Sequence, residues 1–519
     1  MLKRSIAIAI LFLLPCQALG QPGWYKKPGE AFPQEKFLYG LGVGSGTDPA
    51  ERLQIAEENA RSNLIKGIRT QISSEFISTE TETAQRLDEF TQSRIVSTAT
   101  LEVDGVRLER QESGKKVAYV LAVLEKKEGR QLHRVKIERL DRELQRSLAE
   151  AREQEESGAG EKALKAYLQL YPLLASREEA EAVLLALGGF GQSAFDELDQ
   201  AMGEERLRRA DVDAAVERLT GGDFADLDGA LAALAFRLGA QLPTGKRVIV
   251  LAPTYGETKF TSRFSRYVAK TLGYKLADVG LRPVQAPDRF APQTSDHRRD
   301  QARQAGAEII VSGSYLEKGD ELKLFLLASD VASGVKAGAV DVELGIGLVR
   351  DEGLEFLPQN FSQALQDAGV FGTDELIGGE LQVEVWTDRG SENIYLEEEE
   401  EVTLAIRVNQ PAHLQLVYHL ANGMRALLYN NYFVDQSKVN RAVTLPDTFY
   451  VAPPLGVEVL QVLASNRPFP EVATRDWEGY PVLAEDLDQF VVRTRGLKKK
   501  QKKQEMAEMR ITVTTLPRR

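Results

Sequence analysis

Cysteine and histidine are scarce in this chain of 519 residues, which contains one cysteine and four histidines. The cysteine, Cys16, lies in the N-terminal leader, so the chain beyond the leader can form no disulfide and must be stabilised by packing. This scarcity excludes a cysteine nucleophile and the usual His/Cys zinc sites. His413 and His419 face the same side of a predicted strand but stand about 20 Å apart, too far to share a metal ion. We expect no catalytic residue, no metal ion and no cofactor.

Long apolar runs are also lacking beyond the leader, where no stretch approaches the ~18 residues that span a bilayer. The leader itself holds one apolar run at 6–14, behind two basic residues, and this run is too short to cross a membrane. Small residues at 18 and 20 predict a signal peptide over 1–20, and hence a periplasmic or outer-membrane-associated protein. A lipid-attachment site needs a small residue before its cysteine. Because Pro15 precedes Cys16, a lipoprotein is not expected.

The chain lacks the positive charge that binding to nucleic acid requires. It carries 65 Lys and Arg against 77 Asp and Glu, a formal net charge of −12, whereas a phosphate backbone needs a basic footprint. We therefore expect no nucleic-acid partner. The basic block of Lys498, Lys499 and Lys500 is a positively charged segment in this otherwise acidic chain. Two interpretations of it are open: contact with lipopolysaccharide, anionic lipid or an acidic partner, or a mobile loop before the last strand.

No nucleotide-binding loop is complete. Four glycines alternate along one predicted strand, at Gly40, Gly42, Gly44 and Gly46. A GxGxxG motif counted from Gly40 needs its third glycine where Ser45 stands. Thr244-Gly245-Lys246 precedes a strand, whereas the phosphate loop of an ATPase follows one. These patterns favour a glycine strand that bends or approaches another backbone closely.

Residues 21–127 predict a small α+β domain. Asp48 is a candidate N-cap, with Pro49 at the first helical position. Apolar residues then recur at three- and four-residue steps, at Leu53, Ala56, Ala60, Leu64, Ile68 and Ile72. Segments 101–108 and 117–124 look like strands that would cover this stripe. Trp24, the YGLGVGSG strand, the helix and the VAYVLAVLE strand resemble the LPP-20 lipoprotein family and the N-terminal domain of the flagellar T-ring protein. That resemblance implies assembly or binding in the envelope.

Residues 128–240 are rich in Ala, Leu, Glu and Arg and predict a helical spacer. Leu140, Leu144 and Leu148 lie along one helix, and the break at 158–160 separates it from a second helix. This hairpin looks like a tetratricopeptide unit, but a single copy cannot stack into a solenoid. Two interpretations are open: a structural spacer or a peptide-binding groove.

Residues 241–370 predict a mixed α/β domain. RVIVLAP at 247–253 is a continuous apolar run typical of a buried strand. Helices are predicted at 261–272 and 296–305, followed by two strands joined by a turn at Gly319-Asp320. AGAEIIVSGSY and the hairpin after it resemble the N-terminal domain of TolB and the middle domain of the flagellar T-ring protein.

Residues 371–519 predict an antiparallel β-rich domain. Apolar and polar residues alternate at 402–409, which is the period of a half-buried strand. A second strand follows at 413–420, and Asn422-Gly423 suits a type I′ turn into a third strand, so a β-meander is expected. VWTDRG at 385–390, the strands at 402–423, LLYNNYFV at 427–434 and PPLGVEVLQVLAS at 453–465 resemble the DUF4384 domain of unknown function. This resemblance implies a bacterial envelope module without assigned catalytic residues.

The sequence as a whole indicates an α+β multidomain protein. Our main hypothesis is an exported, non-catalytic envelope protein that acts as a scaffold or assembly factor through contacts with other envelope proteins. The alternative is a periplasmic protein that binds or senses a peptide or glycan, and the third hypothesis is an unrecognised hydrolase. The candidate contact surface consists of Trp386, Tyr418, Tyr429 and Tyr432 with the basic block, because aromatic side chains are typical of interfaces.

Overall fold

The computed structural model describes residues 22–46, 48–82, 101–114, 116–190, 193, 206–220, 224, 226–287, 289–371, 381–477, 479–484 and 505–518. The predicted signal peptide, Cys16 and the basic block of Lys498, Lys499 and Lys500 lie outside these residues. Within the described ranges, no helix is long and apolar enough to cross a membrane. The α+β multidomain class is confirmed.

The N-terminal part has one long helix on a small antiparallel sheet. Its elements are α1 (Gly23–Lys26), α2 (Pro28–Ala31), β1 (Phe37–Ser45), α3 (Pro49–Glu82), β2 (Arg107–Ser113) and β3 (Val117–Glu125), with strand order β1-β3-β2. Asp48 caps α3 as predicted, since its Oδ1 accepts from the Ala50 N–H at 2.9 Å. The predicted stripe from Ala56 to Ile72 is buried in the cluster between helix and sheet. The strand predicted at 101–108 begins only at Arg107. Leu101 is buried in the same hydrophobic cluster but lies outside the strand.

The glycines of β1 allow the strand to touch the backbone of α3. A Cβ on Gly40, Gly42 or Gly44 would lie 1.9–2.1 Å from a carbonyl oxygen of α3. No side chain fits in that gap, so the alternating glycines serve close packing of a strand against a helix. The prediction that these glycines allow a close backbone approach is confirmed.

A helical segment follows. It comprises α4 (Lys126–Glu156), α5 (Gly160–Leu168), α6 (Leu170–Gly188), α7 (Arg209–Thr220) and α8 (Leu227–Gly239). The predicted break separates α4 from α5, and Leu140, Leu144 and Leu148 are buried along α4. Residues of α4 to α8 share one hydrophobic cluster with the sheet that comes next in the chain. The helical hairpin is therefore anchored on the sheet, and its residues contribute to a common core.

Helix α6 carries charged side chains into this interior, where each pairs with a residue outside the helix. Arg177, Glu178, Glu179 and Glu181 are each at most 3% exposed. Glu178 pairs with Arg209 at 2.7 Å. Glu179 pairs with Lys336 at 2.6 Å, and both of these side chains are buried. Because a buried charge is tolerated only when it is paired, these ion pairs fix the helices to the sheet in one arrangement.

The next region is a mixed sheet with helices against it. Its elements are β4 (Arg247–Val250), β5 (Thr254–Tyr255), α9 (Arg263–Asp278), β6 (Arg282–Pro283), α10 (His297–Gln304), β7 (Ile309–Lys318), β8 (Glu321–Asp330), β9 (Lys336–Gly345), α11 (Ile346–Asp351) and α12 (Phe361–Phe371). The strand order is β6-β4-β7-β8-β9, and β5 also pairs with β7. Strand β4 is parallel to β6 and β7, whereas β7, β8 and β9 are antiparallel. The predicted mixed α/β architecture of this region is confirmed.

The C-terminal part is a β-sandwich. Its strands are β10 (Val383–Thr387), β11 (Ile394–Glu397), β12 (Glu401–Val408), β13 (Ala412–His419), β14 (Arg425–Val434), β15 (Val443–Tyr450), β16 (Val457–Ser465), β17 (Thr474–Trp477), β18 (Tyr480–Leu483) and β19 (Met506–Leu516). One sheet has the order β10-β12-β15 and the other β11-β19-β16-β13-β14-β18-β17. All pairs are antiparallel except β11 with β19. Apolar residues of both sheets form the core between them.

Two details of this region differ from expectation. The expected β-meander is wrong, because β12 and β13 belong to different sheets and the chain crosses the sandwich between them. The type I′ turn is also wrong. Gly423 has a φ of 80°, whereas Asn422 is not among the residues with positive φ. The N–H of Gly423 donates to the Leu420 carbonyl and the N–H of Leu420 to the Met424 carbonyl. This pattern is a three-residue hairpin loop with its glycine in the left-handed region.

Side chains join the three sheet-containing parts. The Tyr25 hydroxyl donates to Gln382 at 3.1 Å, and the Ser295 N–H donates to Asn59 at 2.7 Å. Asn393 donates to the Ala252 carbonyl at 2.7 Å. These bonds connect the N-terminal, middle and C-terminal parts around a common junction, where a cavity lies.

Candidate functional site

Trp386 is not part of an accessible contact surface. It is 1% exposed and lies on the outer face of the β10-β12-β15 sheet, because its neighbour Val385 points into the sandwich core. The ring of His297 lies edge-on at 5.9 Å, and the guanidinium of Arg407 lies 5.7 Å from the Trp386 ring centroid. The expectation that Trp386 meets a partner is corrected, because α10 and the segment before it cover this face.

The three predicted tyrosines differ in environment. Tyr418 packs against the sandwich core, and its hydroxyl donates to Glu458 at 2.8 Å. Tyr418 therefore stabilises the sandwich and is not a contact residue for a partner. Tyr429 and Tyr432 are half-buried on β14, with ring centroids 5.6 Å apart. The Tyr429 hydroxyl also bonds to Asp447 of β15. The structure therefore brings Tyr429 and Tyr432 together where the two sheets meet, and separates them from Trp386.

Tyr450 is an exposed tyrosine of the sandwich, three residues after Asp447, and we call Tyr429, Tyr432 and Tyr450 together the rim surface. It lies at the end of β15 and is 63% exposed. Strand β15 is the last strand of its sheet, so its outer edge has no partner strand among the described residues. Pro446 within β15 removes one N–H from that edge, which protects it against strand addition. Contacts at the rim surface would therefore be made by side chains.

A cavity of about 290 Å³, which we did not predict, lies at the junction of the three parts. Helix α3 contributes Lys66 and Arg69 to its wall, and the middle region contributes Lys259 and Arg298. The sandwich contributes Glu392 among others. Charged side chains from distant parts of the chain thus line one cavity.

The charges at this end of the cavity are predominantly positive. The Arg298 Nε lies 2.5 Å from an oxygen of Glu392. Burial opposes ionisation of the Glu392 carboxyl, but four cations outweigh it and lower its pKa to about 2; these are Arg298, Arg69, Lys259 and Lys66. Burial, followed by the charge of Arg298, lowers the pKa of the Arg69 guanidinium. The cations repel one another, and the Glu392 carboxylate interacts with all four of them.

Another part of the cavity wall consists of side chains that bond to one another. His419 Nε2 lies 2.9 Å from Gln461, which in turn donates to Glu508 at 2.7 Å. Glu508 pairs with Arg510 at 3.3 Å. Burial lowers the pKa of His419 to about 3, so its imidazole is neutral near pH 7. Phe371 packs edge-on against it at 5.0 Å.

A serine and a histidine meet beside the cavity, which sequence reasoning missed because they are far apart in the chain. Ser391 Oγ lies 2.6 Å from His297 Nδ1, and both residues are buried. A nucleophile and a base need this contact, but the base must also be oriented by a third group. His297 Nε2 is buried without a hydrogen-bond partner. Burial, followed by the charge of Lys66, lowers the pKa of His297 to about 4, which makes it a weak base near neutral pH. This geometry does not favour the hydrolase hypothesis.

The low pKa of His297 predicts an acid-sensitive contribution to stability. Its ordinary pKa is 6.5 and its folded pKa is about 4. The stability that neutral His297 contributes is therefore complete above pH 6.5 and declines as the pH falls toward 4. In an NMR titration of the imidazole nitrogens, His297 and His419 should remain neutral at about pH 5. The histidines of a urea-unfolded sample provide the control, and a folded His297 that titrates near 6.5 would contradict the assignment.

Metal-ligating side chains do not cluster in the part of the chain that the structure describes: no group of three or more His, Asp or Glu there is placed to hold a metal ion. His413 instead packs against the Phe433 ring at 4.7 Å, and His419 bonds to Gln461.

One signal for the cavity was present in the sequence. Ser312 and Ser314 interrupt the apolar strand β7, and both line the cavity wall.

Comparison with known families bears on the sandwich. Residues 395–468 match the family model described as "Domain of unknown function (DUF4384)". This part of the chain is similar to DUF4384. The predicted resemblance is confirmed there, and the VWTDRG segment at 385–390 lies outside the match. The resemblances to LPP-20 and TolB stay predictions. A search of curated proteins gives no match.

Solved structures give low similarity scores. The C-terminal domain of LpoB from Escherichia coli aligns with a TM-score of 0.19 and 16% identity, over 23% of this chain and 97% of that one. The C-terminal domain of LpoB from Salmonella enterica aligns with a TM-score of 0.18 and 15% identity, over 22% of this chain and 93% of that one. The secreted protein HP1454 from Helicobacter pylori aligns with a TM-score of 0.17 and 13% identity, over 64% of this chain and 97% of that one. At such TM-scores, these likenesses carry no statement about what this chain binds.

Proposed function

We propose that this chain is an exported, non-catalytic envelope protein that acts as a scaffold or assembly factor through contacts with other envelope proteins. The rim surface carries the proposal. Tyr429 and Tyr432 pack together where the two sheets meet, Tyr450 is exposed at the end of β15, and Tyr is enriched at protein interfaces. Because Tyr429 and Tyr432 are already held by the core beneath them, a partner would meet a surface that needs little ordering.

The interior supports a structural role for the rest of the chain. Paired buried charges such as Glu179 with Lys336 hold the helices on the middle sheet. Hydrogen bonds such as those of Ser295 with Asn59 and Asn393 with Ala252 hold that region against its two neighbours. A scaffold requires this kind of fixed spacing between its parts, and it requires no reactive side chain.

An affinity purification tests the proposal. The full chain would be recovered from cross-linked envelopes of its own cells, and its partners identified by mass spectrometry. Tyr450→Asp places a charge in the rim surface and should reduce recovery of a specific partner by about tenfold or more, because aromatic anchors dominate interface energies.

The matched control is Tyr274→Asp, which changes an equally exposed tyrosine (65%) on α9, away from the rim surface. The control should recover the partner as the natural chain does. If no envelope protein is recovered, or if both substitutions reduce recovery equally, the rim surface is not the contact site.

A further inference from the structure

One wall of the cavity contains hydrogen-bond donors that have no partner. Ser312 and Ser314 are two residues apart on β7, so their side chains share one face of the sheet. They are 3% and 2% exposed, line the cavity, and their hydroxyls make no hydrogen bond. Arg298 Nη1 is likewise buried without a hydrogen-bond partner. Since buried polar groups are normally satisfied, three unsatisfied donors in one cavity wall indicate a group that accepts from them.

The charges around the cavity indicate the sign of that group. Five cations and five acids line the wall as a whole, but two of the acids are matched by arginines: Glu384 by Arg407 from outside the cavity and Glu508 by Arg510. The other charged residues of the wall are four cations, Lys66, Arg69, Lys259 and Arg298, and three acids, Glu257, Asp367 and Glu392, so one positive charge is in excess. The same four cations lower the pKa of Glu392, and Arg298 forms an ion pair with it. An additional negative charge at this end would be attracted by the cations and would relieve their mutual repulsion.

The rest of the cavity sets the size and character of a ligand. Apolar side chains line it beyond the charged end: Leu41, Ala368, Phe371, Val457, Val459 and Met509. Its volume of about 290 Å³ is close to the lower end of the range for small-molecule sites, roughly 300 Å³. A bare inorganic ion would leave most of this space empty, whereas a small molecule with an apolar body would fill it.

We propose that the junction cavity binds a small organic anion, with a carboxylate or phosphate group at the charged end and a short apolar body toward Phe371 and Met509. The oxyanion accepts hydrogen bonds from Arg298 Nη1 and from the Ser312 and Ser314 hydroxyls, while Lys66, Arg69 and Lys259 supply further positive charge. The site is separate from the rim surface, so either assignment can fail without the other.

Binding at this place would also couple the parts of the chain. The proposed contacts come from α3, from the middle region and from the sandwich, so an occupied site links all three. Anything that binds only the folded, assembled form stabilises it in proportion to its concentration. Ligand binding should therefore raise the melting temperature of the whole protein.

Isothermal titration of the full chain with chemically matched probes tests the proposal. Hexyl phosphate and hexanoate carry the two candidate head groups on the same apolar body, hexanol carries the body without charge, and inorganic phosphate carries the charge without the body. We expect at least one of the two anionic probes to bind about tenfold or more tightly than hexanol and inorganic phosphate. The stronger of the two identifies the head group. Equal binding of all four probes, or no binding by either anionic probe, would overturn the assignment.

Substitutions locate the binding site. Ser312→Ala with Ser314→Ala removes two donors without changing charge and should weaken binding about fivefold to tenfold. Arg298→Gln should weaken it more than tenfold. The matched control is Arg299→Gln, which changes the next residue of α10 and lies outside the cavity wall. Because Arg298→Gln also removes the partner of Glu392, Lys66→Gln serves as a second charge variant. If the serine variant and Lys66→Gln both bind as the natural chain does, the anion is not held here.

Discussion

Replacing Arg209 with methionine should destabilise the protein by about 3–5 kcal/mol. Arg209 is 8% exposed and contacts Glu178 at 2.7 Å and Asp341 at 3.4 Å. Its guanidinium also lies 4.8 Å from the centroid of the Phe325 ring. Methionine fills a similar volume but leaves two buried carboxylates without this cation, and an unpaired buried charge is among the costliest defects in a protein interior. Urea unfolding followed by circular dichroism measures the loss.

An ion pair near the surface provides the comparison. Lys275 contacts Asp228 at 2.6 Å, and their side chains are 24% and 53% exposed. Lys275→Met should lower the free energy of unfolding far less than Arg209→Met does, since water screens exposed pairs. If Arg209→Met is as mild as Lys275→Met, the buried network does not hold the helical segment on the sheet.

The second large effect is expected at the glycine strand. Gly42→Ala should destabilise the protein by about 3 kcal/mol or more, because overpacking of a tight interface forces the backbone to move. The new Cβ would lie 1.9 Å from the Ala56 carbonyl oxygen and 2.4 Å from the Ala60 nitrogen. Both atoms belong to the backbone of α3, so no side-chain rotation can relieve the clash. Thermal unfolding of the two proteins measures the difference.

Gly67 offers a control with the opposite sign. It lies inside α3, and a Cβ added there meets no atom within 4 Å. Gly67→Ala should therefore stabilise the protein by roughly 0.5–1 kcal/mol through helix propensity alone. If Gly42→Ala were tolerated as well as Gly67→Ala, the strand and helix would not be in backbone contact.

Local patterns predicted the N-terminal part well. The stripe of α3 and the alternating glycines of β1 are features of single elements, and periodicity within one element determines which face is buried. The sandwich was harder to predict. Strands β12 and β13 both alternate, but alternation specifies a buried face and leaves the hydrogen-bonding neighbour open. The assignment of β12 to the other sheet therefore had no local signal.

The candidate sites show the same limit. Trp386 was expected on a contact surface because aromatic side chains are typical of interfaces, yet α10 packs over it. Contact between distant regions leaves no periodic trace in the sequence. Lys66, Lys259 and Glu392 meet in the cavity although nearly two hundred residues separate the first two. Ser312 and Ser314 were the one visible signal, as polar residues in a strand that is otherwise apolar and buried.

The most direct test of a function through protein contacts is site-specific photo-cross-linking in living cells. A photoreactive phenylalanine analogue would replace Tyr450 on the rim surface or, as the comparison, Tyr274 on α9. We expect a discrete cross-linked species between the protein substituted at 450 and an envelope protein, with no such species from position 274. Absence of an adduct at 450, or the same adducts from both positions, would contradict a specific contact at the rim surface.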